Sequence, residues 1–337
     1  MKAVGFTKCH PVDHPEALLD LDIPAPAAPE GHDMLVEVRA VSVNPVDTKR
    51  RRTEEPKDGP RILGFDAAGV VRAVGPACTL FGPGDEVFYA GVVNRPGSNA
   101  ELQLVDERIV GRKPASLSFA EAASMPLTTI TAWEGLHDRL RVHEGGGAGE
   151  ALLVIGGAGG VGSMVIQVAR QRTALTVVAT ASRPETAQWC RDLGAHHVVD
   201  HREDIPAQLK ALGVKPRYVF STNTTARNWD QIVASIAPQG AIVLIESQAP
   251  IDARQLMPKS VSLHWELMFT RPMFGTPDMI EQHHLLNAVA DMVDHGRIRH
   301  TMTLNLGPMT AARLREAHAK VESGTMIGKV VLEGMGA

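Results

Sequence analysis

Residues 151–170 read ALLVIGGAGGVGSMVIQVAR, and this stretch decides the fold. Ala151 to Ile155 form an unbroken apolar run of five residues, the pattern of a strand covered on both faces. Six of the next seven positions, Gly156 to Gly162, are glycine or alanine. Beyond them Met164, Val165, Val168 and Ala169 recur at helical spacing. Gly157, Gly159 and Gly162 satisfy G-x-G-x-x-G between strand and helix, with Ala158, Gly160 and Val161 in the intervening places. One glycine permits a tight turn, one lets backbone approach a pyrophosphate, and Gly162 lets the helix lie close on the strand. The helix N-terminus then offers N–H groups and a partial positive charge to phosphates. The expectation is a dinucleotide loop. A plain glycine-rich turn is the alternative, and the flanking strand and helix weigh against it.

With 337 residues the chain is too long for one ordinary core, so two domains are expected. Its 44% hydrophobic and 21% charged fractions are those of a globular protein. A net charge of -4 argues against nucleic acid or an anionic membrane as main partner. The three cysteines, Cys9, Cys78 and Cys190, lie far apart without a C-x-x-C, which excludes a disulfide framework and a cysteine-rich metal site. The N-terminus lacks the apolar core of a signal peptide, and no stretch approaches a membrane span. The reading is a soluble, cytoplasmic protein.

Up to residue 115 the signals are short strands with dense proline and glycine, and no amphipathic helix of normal length is expected there. Met34–Val43 alternates, Val70–Val74 and Glu86–Tyr89 follow, and turn-rich pieces separate them. This predicts a partly open β-barrel. Ser118 and Glu121 form a capping box opening a short helix. Pro126 interrupts the helical run, which continues over Thr131–Leu140, and Arg141–Glu150 is a glycine-rich linker.

After the fingerprint, strands and helices alternate. Strands are expected at Leu175–Ala179, His196–Val199, Tyr218–Ser221, Ala241–Ile245 and Val261–Phe269, with helices at Glu185–Leu193, Ile205–Leu212 and Ala226–Ile236. With the opening strand this is the rhythm of a doubly wound Rossmann domain with a six-stranded parallel sheet. A long helix is predicted over Asp278–His295, with Thr276 and Asp278 as capping candidates. Thr301–Leu306, Thr310–Glu322 and Lys329–Leu332 form a strand, helix and strand that return to complete the first domain.

The end of the second strand distinguishes the cofactor. NAD enzymes usually place an acid there for the ribose 2′-OH, whereas an arginine accommodates the NADP phosphate. Here the segment is VVATASRPE, with no acid before Glu185 and with Ser182 and Arg183 at the turn. An Arg fork and a hydroxyl suit a phosphate dianion, so NADP (NADPH) is expected. The alternative is that Ser182 caps a helix starting at Pro184 and Arg183 is solvated surface.

With both domains in view, the chain resembles the medium-chain dehydrogenase/reductase superfamily. It is closest in pattern to the quinone oxidoreductase branch, which includes proteins labelled zinc-type alcohol dehydrogenase-like. The resemblance rests on AVSVNPVDTKRR (Ala40–Arg51), LGFDAAGVVRAVG (Leu63–Gly75), FGPGDEVFYAG (Phe81–Gly91), AASMPLTTITAWEGL, the glycine loop and the closing GKVVLE. It implies a GroES-like β-barrel domain from residues 1–123 with 272–337, a Rossmann domain over 124–271, and an active site in the cleft between them.

Zinc-dependent members carry a Cys, a G-H-E segment and a later Cys or Asp. At the matching places this chain has Asn44 with Asp47, then Gly64-Phe65-Asp66, then the Thr128–Thr131 region. Adjacent histidines such as His196-His197 and His283-His284 point apart and chelate poorly. The expectation is a metal-independent enzyme. Without a Lewis acid, quinones and α,β-unsaturated carbonyls become the favoured small-molecule substrates, because they spread the charge that hydride addition creates.

By the resemblance, Asn44 and Asp47 lie beside the nicotinamide ribose and substrate, Asn44 as a donor to an enolate and Asp47 organising the loop or ribose. Both could equally be turn-formers after a strand. Tyr89 falls where a phenol could reach the pocket, or simply pack. Lys49 is near the cleft or part of a solvated basic run. For the cofactor, Thr131 matches a nicotinamide-side threonine, and Ser221 and Ser247 end the fourth and fifth strands. Met268 and Phe269 end the sixth strand or pack in the core, Lys329 could reach the cofactor, and His201 stands where the branch often has a tyrosine. Residues 94–100 and 271–277 shape the pocket.

The leading reading is an NADPH-dependent quinone or enone reductase. A zinc-dependent alcohol dehydrogenase and an NADPH-binding sensor or structural protein are its rivals. An apolar sixth strand at the sheet edge would invite a homodimer.

Overall fold

The structure is a computed structural model and describes residues 1–246 and 249–335, so Ser247 lies outside the described residues. The chain divides into two compact units, Met1–Leu127 with Phe269–Ala337, and Thr128–Met268.

The second unit carries a six-stranded parallel sheet. In spatial order its strands are His197–Val199, Thr176–Thr180, Ala151–Ile155, Tyr218–Ser221, Ala241–Leu244 and Ser262–Trp265. The glycine-loop strand is central and every one of its side chains is buried, which explains the unbroken apolar run. The α-helices of this sheet's connections are Gly160–Arg172, Pro184–Asp192, Ile205–Ala211 and Thr225–Ser235. The last two of these helices join the sheet in a core that includes Leu153, Ile205, Leu209, Val219, Trp229, Ile232 and Ile242. Gly194, at φ +104°, stands just beyond the helix Pro184–Asp192, where a left-handed residue suits the chain reversal.

The sixth strand is shorter than the pattern Val261–Phe269 suggests. Its neighbour ends at Leu244, whose carbonyl takes a last bond from the Glu266 N–H at 2.8 Å. The Glu266 side chain then turns inward, fully buried, onto Arg139 Nε at 2.7 Å. Its burial, and Glu134 beside it, push that carboxyl well above the usual range. A short helix, Thr270–Phe274, begins directly afterwards. Pro126 likewise begins a helix, Pro126–Trp133, rather than interrupting one, and a π-helical turn Glu134–Arg139 follows.

In the first unit both chain ends build one sheet. Its strands run Met302–Pro308, Lys329–Glu333, Asp33–Ser42, Ala67–Val74, Glu86–Tyr89 and Val110–Arg112, with Leu102–Asp106 also paired to Asp33–Ser42. A smaller sheet joins Leu19–Asp22, Lys2–Phe6 and Arg61–Ile62. The closing strand lies antiparallel to the third, with Val331 opposite Ser42.

Two local features were not foreseen here. A nine-residue polar helix, Pro45–Thr53, follows Asn44 in the stretch where no amphipathic helix of normal length is expected. Pro at its first position costs no helix bond, the Asp47 carboxylate accepts the Asn44 N–H at 2.8 Å, and three arginines complement the dipole in the last turn. The basic run therefore has two faces: Lys49 is exposed, whereas Arg51 is wholly buried against His318 and Glu322. The later long helix is Glu281–Asp294, and its N-cap position falls at Ile280. Asp278 does not cap it but pairs with Arg271 at 3.0 Å.

Candidate functional site

The glycine loop is held by the neighbouring strand. Thr180 accepts the Gly156 N–H on its hydroxyl at 3.0 Å and the Gly157 N–H on its carbonyl at 3.1 Å. The left-handed turn residue is Gly156, at φ +78°. Gly162 allows the close approach, since a Cβ there would overlap the Gly156 carbonyl oxygen and lie 2.8 Å from Gly157 Cα. Gly159 is different. It occupies the N-cap of Gly160–Arg172, and a Cβ on it would meet only the Gly156 oxygen, at 3.6 Å. Nothing among the described residues requires glycine there, and the first-turn N–H groups have no intrahelical acceptor. An open, side-chain-free helix start of this kind fits a diphosphate.

The turn after the second strand is capped without Ser182. Arg183 is the N-cap of Pro184–Asp192, and its N–H donates to Thr186 Oγ1 at 3.1 Å. The Arg183 guanidinium pairs with Glu185 at 3.3 Å with both side chains well exposed, an ion pair of ~0–1 kcal/mol that an arriving phosphate could displace. His201 is half-buried in the turn after the third strand, and burial holds its imidazole below the ordinary range. Ser221 is fully buried and shares a 2.8 Å hydrogen bond with Thr225 Oγ1. Thr131 is buried within the helix Pro126–Trp133.

Met268 and Phe269 are also buried, but beyond the sixth strand rather than at its end, because that strand stops at Trp265. Phe269 packs edge-on against Phe65, with ring centroids 5.4 Å apart.

The residues closest to the loop that sequence reasoning missed are Thr222 to Thr224. Thr222 Oγ1 donates to the Ile155 carbonyl at 2.8 Å. Thr224 holds φ +49°, costly for a β-branched residue. Asn228 Nδ2 steadies it through the Thr224 carbonyl at 3.1 Å and hydroxyl at 2.9 Å. The signal was present as a polar run, STNTT, directly after the apolar YVF.

In the first unit Asn44, Asp47 and Lys329 converge with Ser42, Gly64 and Asp66 in one buried polar cluster. Asp66 Oδ2 accepts from Ser42 Oγ at 2.8 Å, Asn44 Nδ2 at 2.7 Å and Lys329 Nζ at 2.8 Å. Its other oxygen takes the Leu127 N–H at 2.7 Å. Lys329 also donates to Asn44 Oδ1, and Asn44 Nδ2 lies 3.4 Å from the Phe65 carbonyl. The Asn44 amide is thus committed at both ends. Asp47 accepts the Gly64 N–H at 3.0 Å in addition to that of Asn44. Burial pushes its carboxyl up to about 7 against those hydrogen bonds and the nearby Lys329 charge.

Tyr89, whose strand pairs it with Ala67, is buried, and its hydroxyl has no hydrogen-bond partner among the described residues. Burial raises its pKa, so the phenol keeps its proton and has a hydroxyl hydrogen to donate. Segments 94–100 and 271–277 border a cavity of about 210 Å³ lined by Asn94, Arg95, Gln103, Pro272 and Met279 among others. Arg95 is held there by a two-pronged pair with Asp33 at 2.8 and 2.7 Å.

A GroES-like unit bearing this cluster and a Rossmann unit bearing a fingerprint loop define an oxidoreductase of the medium-chain type. Residues 30–131 match the alcohol dehydrogenase GroES-like domain, and 160–284 match the zinc-binding dehydrogenase domain. A zinc-type alcohol dehydrogenase-like protein of Staphylococcus aureus (strain COL) is 42% identical over 335 residues, covering 98% of this chain and 99% of its own. A Rhizobium etli structure described as a zinc-dependent alcohol dehydrogenase is 58% identical with a TM-score of 0.96, covering 100% of this chain and 99% of its own. The Arabidopsis thaliana chloroplastic NADPH-dependent alkenal/one oxidoreductase is 40% identical over 189 residues, 51% of this chain and 47% of its own. The chain belongs to the zinc-type alcohol dehydrogenase-like group of the medium-chain dehydrogenase/reductase superfamily.

The zinc of that family name requires a matching donor set. A tetrahedral site needs Cys, His or carboxylate lone pairs turned to one point. Here both Asp66 oxygens and both Asp47 oxygens already accept protein donors, and a lysine ammonium sits among them. This arrangement does not fit zinc. The glycine loop, by contrast, fits a dinucleotide.

Proposed function

We propose that the protein is an NADPH-dependent, metal-independent reductase of quinones or α,β-unsaturated carbonyl compounds. The observation that carries this reading is the Asn44–Asp66–Lys329 cluster, in which Asn44 and Asp66, at two of the places matched to zinc ligands, are closed by internal hydrogen bonds. The name of the Arabidopsis relative supports the cofactor and the acceptor class.

When bound, the nicotinamide supplies the hydride. The chain's part is to bind, orient and stabilise charge. Gly157 to Gly162 receive the diphosphate at the helix start, and Ser182 with Arg183 receive the 2′-phosphate. Thr131 and Lys329 are assigned to the nicotinamide side. Asn44, with its amide committed, and Asp47, capping the helix Pro45–Thr53, hold the cluster in shape. Tyr89 holds a proton at its hydroxyl for the oxyanion of a conjugated acceptor, whose delocalised charge needs a donor and no Lewis acid.

The test is NADPH and NADH oxidation over a panel of quinones and enones by chelator-treated protein. Turnover with NADPH and a conjugated acceptor, unchanged by the chelator, is expected. Loss of activity on chelation, restored by zinc, sinks the metal-independent assignment. Arg183→Ala should weaken NADPH at least tenfold and leave NADH unchanged.

The assembly proposed is a homodimer through the edge strand Ser262–Trp265, where Trp265 and Leu267 are about half exposed. Light scattering at micromolar concentration should give twice the chain mass, falling to one in Trp265→Lys. A monomeric wild type refutes it.

A further inference from the structure

The segment between the first two strands, residues 7–18, gathers metal-ligating side chains that the proposed reduction does not use. Two successive turns fold it back, closed by His14 N–H on the Pro11 carbonyl at 3.1 Å and Ala17 N–H on the His14 carbonyl at 3.0 Å. The His10 and His14 rings consequently stack, 4.0 Å apart and within 7° of parallel. One ligand atom from each of His10, His14 and Glu16 lies within 4.8 Å of the other two. Among the described residues this is the one such group of three or more His, Cys, Asp or Glu side chains.

The backbone beneath it is anchored. Buried Arg51 donates to the His10 carbonyl and pairs with Glu322, while the Cys9 N–H donates to Glu55 at 3.1 Å. Two imidazoles and a carboxylate suit a borderline divalent ion. Zinc bonds of about 2.0–2.1 Å place tetrahedral ligand atoms roughly 3.3 Å apart, so the donors must close by up to about 1.5 Å. These side chains are exposed or half-exposed and can turn. The one hydrogen bond surrendered is the 3.2 Å contact of Glu16 N–H to His14 Nδ1. Nδ1 would ligate in its place, or Nε2 would ligate once its proton had moved to Nδ1.

We propose that His10, His14 and Glu16 form a surface site for a divalent transition-metal ion of the zinc type, which clips the turn joining the first two strands. The chain would then bind zinc without using it in the reaction. The experiment is calorimetric titration of chelator-treated full-length protein with Zn²⁺, with Co²⁺ absorption as a second readout. One saturable equivalent is expected, weakened at least tenfold in His14→Gln and in His10→Gln, and unchanged in His284→Gln.

Zinc should also raise the unfolding midpoint of the wild type and not that of the variant combining His10→Gln with His14→Gln. Equal metal-free midpoints establish that the variants fold, and Glu16→Gln serves if either histidine variant does not. No saturable equivalent, or full binding by the double histidine variant, overturns the proposal. NADPH turnover is read separately and is expected to be indifferent to both.

Discussion

Replacing Gly159 and Gly162 one at a time by alanine separates what the loop does for the fold from what it does for a ligand. At Gly162 a Cβ would overlap the Gly156 carbonyl and stand 2.8 Å from Gly157 Cα, where 3.4 Å or more is ordinary. Both obstacles are backbone, so the helix Gly160–Arg172 must retreat from the loop by several tenths of an ångström or more. Overpacking of that kind costs ~1–3 kcal/mol, or roughly 2–4 °C in midpoint per kcal/mol. At Gly159 the new Cβ meets only one atom, at 3.6 Å, and the backbone angles of φ −72° and ψ 173° are open to any residue. Gly159→Ala should therefore unfold within ~1 kcal/mol of wild type, the residual cost being that of a poor N-cap. Its methyl nevertheless projects at the mouth of the helix, where the diphosphate is assigned. NADPH affinity followed by nicotinamide fluorescence should fall at least tenfold, about 1.4 kcal/mol. Wild-type NADPH affinity in Gly159→Ala refutes the reasoning, because a fingerprint glycine that packing does not require would then have no ligand to explain it.

Three further outcomes follow from buried polar groups. Lys329→Met leaves the Asp66 carboxylate buried without its cation and should cost ~3–5 kcal/mol in urea unfolding, whereas adding Asp66→Asn should recover part of that loss; strictly additive losses count against the pair. Asp47 has a folded pKa of about 7, raised by burial above the unfolded 3.8, so the stability it contributes is complete below the unfolded value and fades as pH rises through 7. The gap in unfolding free energy between wild type and Asp47→Asn should accordingly shift in favour of the variant between pH 5.5 and 8, and a constant gap would contradict that sign. Tyr89→Phe removes a buried hydroxyl that has no partner among the described residues, so stability should hold or rise while turnover with a conjugated acceptor falls by ~10²-fold or more; unchanged turnover removes Tyr89 from the mechanism.

Local patterns in the sequence carried much of this structure because they report local constraints. An unbroken apolar run states that both faces are covered, helical spacing states a buried stripe, and a glycine between them states a close approach. Hence the strand Ala151–Ile155, the helix after it and the capping box at Ser118 are legible residue by residue. The helix Pro45–Thr53 was not, because its polar sequence has no apolar stripe and it is held by the Asp47 cap and buried Arg51.

What the chain by itself determined is the alternation of strands and helices, the dinucleotide fingerprint and the absence of a cysteine-rich metal site. What only the tertiary structure decided is which side chains meet. Asn44 and Lys329 are 285 positions apart and become neighbours because the closing strand pairs with Asp33–Ser42, Val331 opposite Ser42. No periodicity encodes that register. Nor does composition reveal that Arg51 is buried while Lys49 is exposed, or that Asp66 faces a lysine. A buried carboxylate takes whatever donor the sheet brings to it, and the sheet is assembled from both ends of the chain.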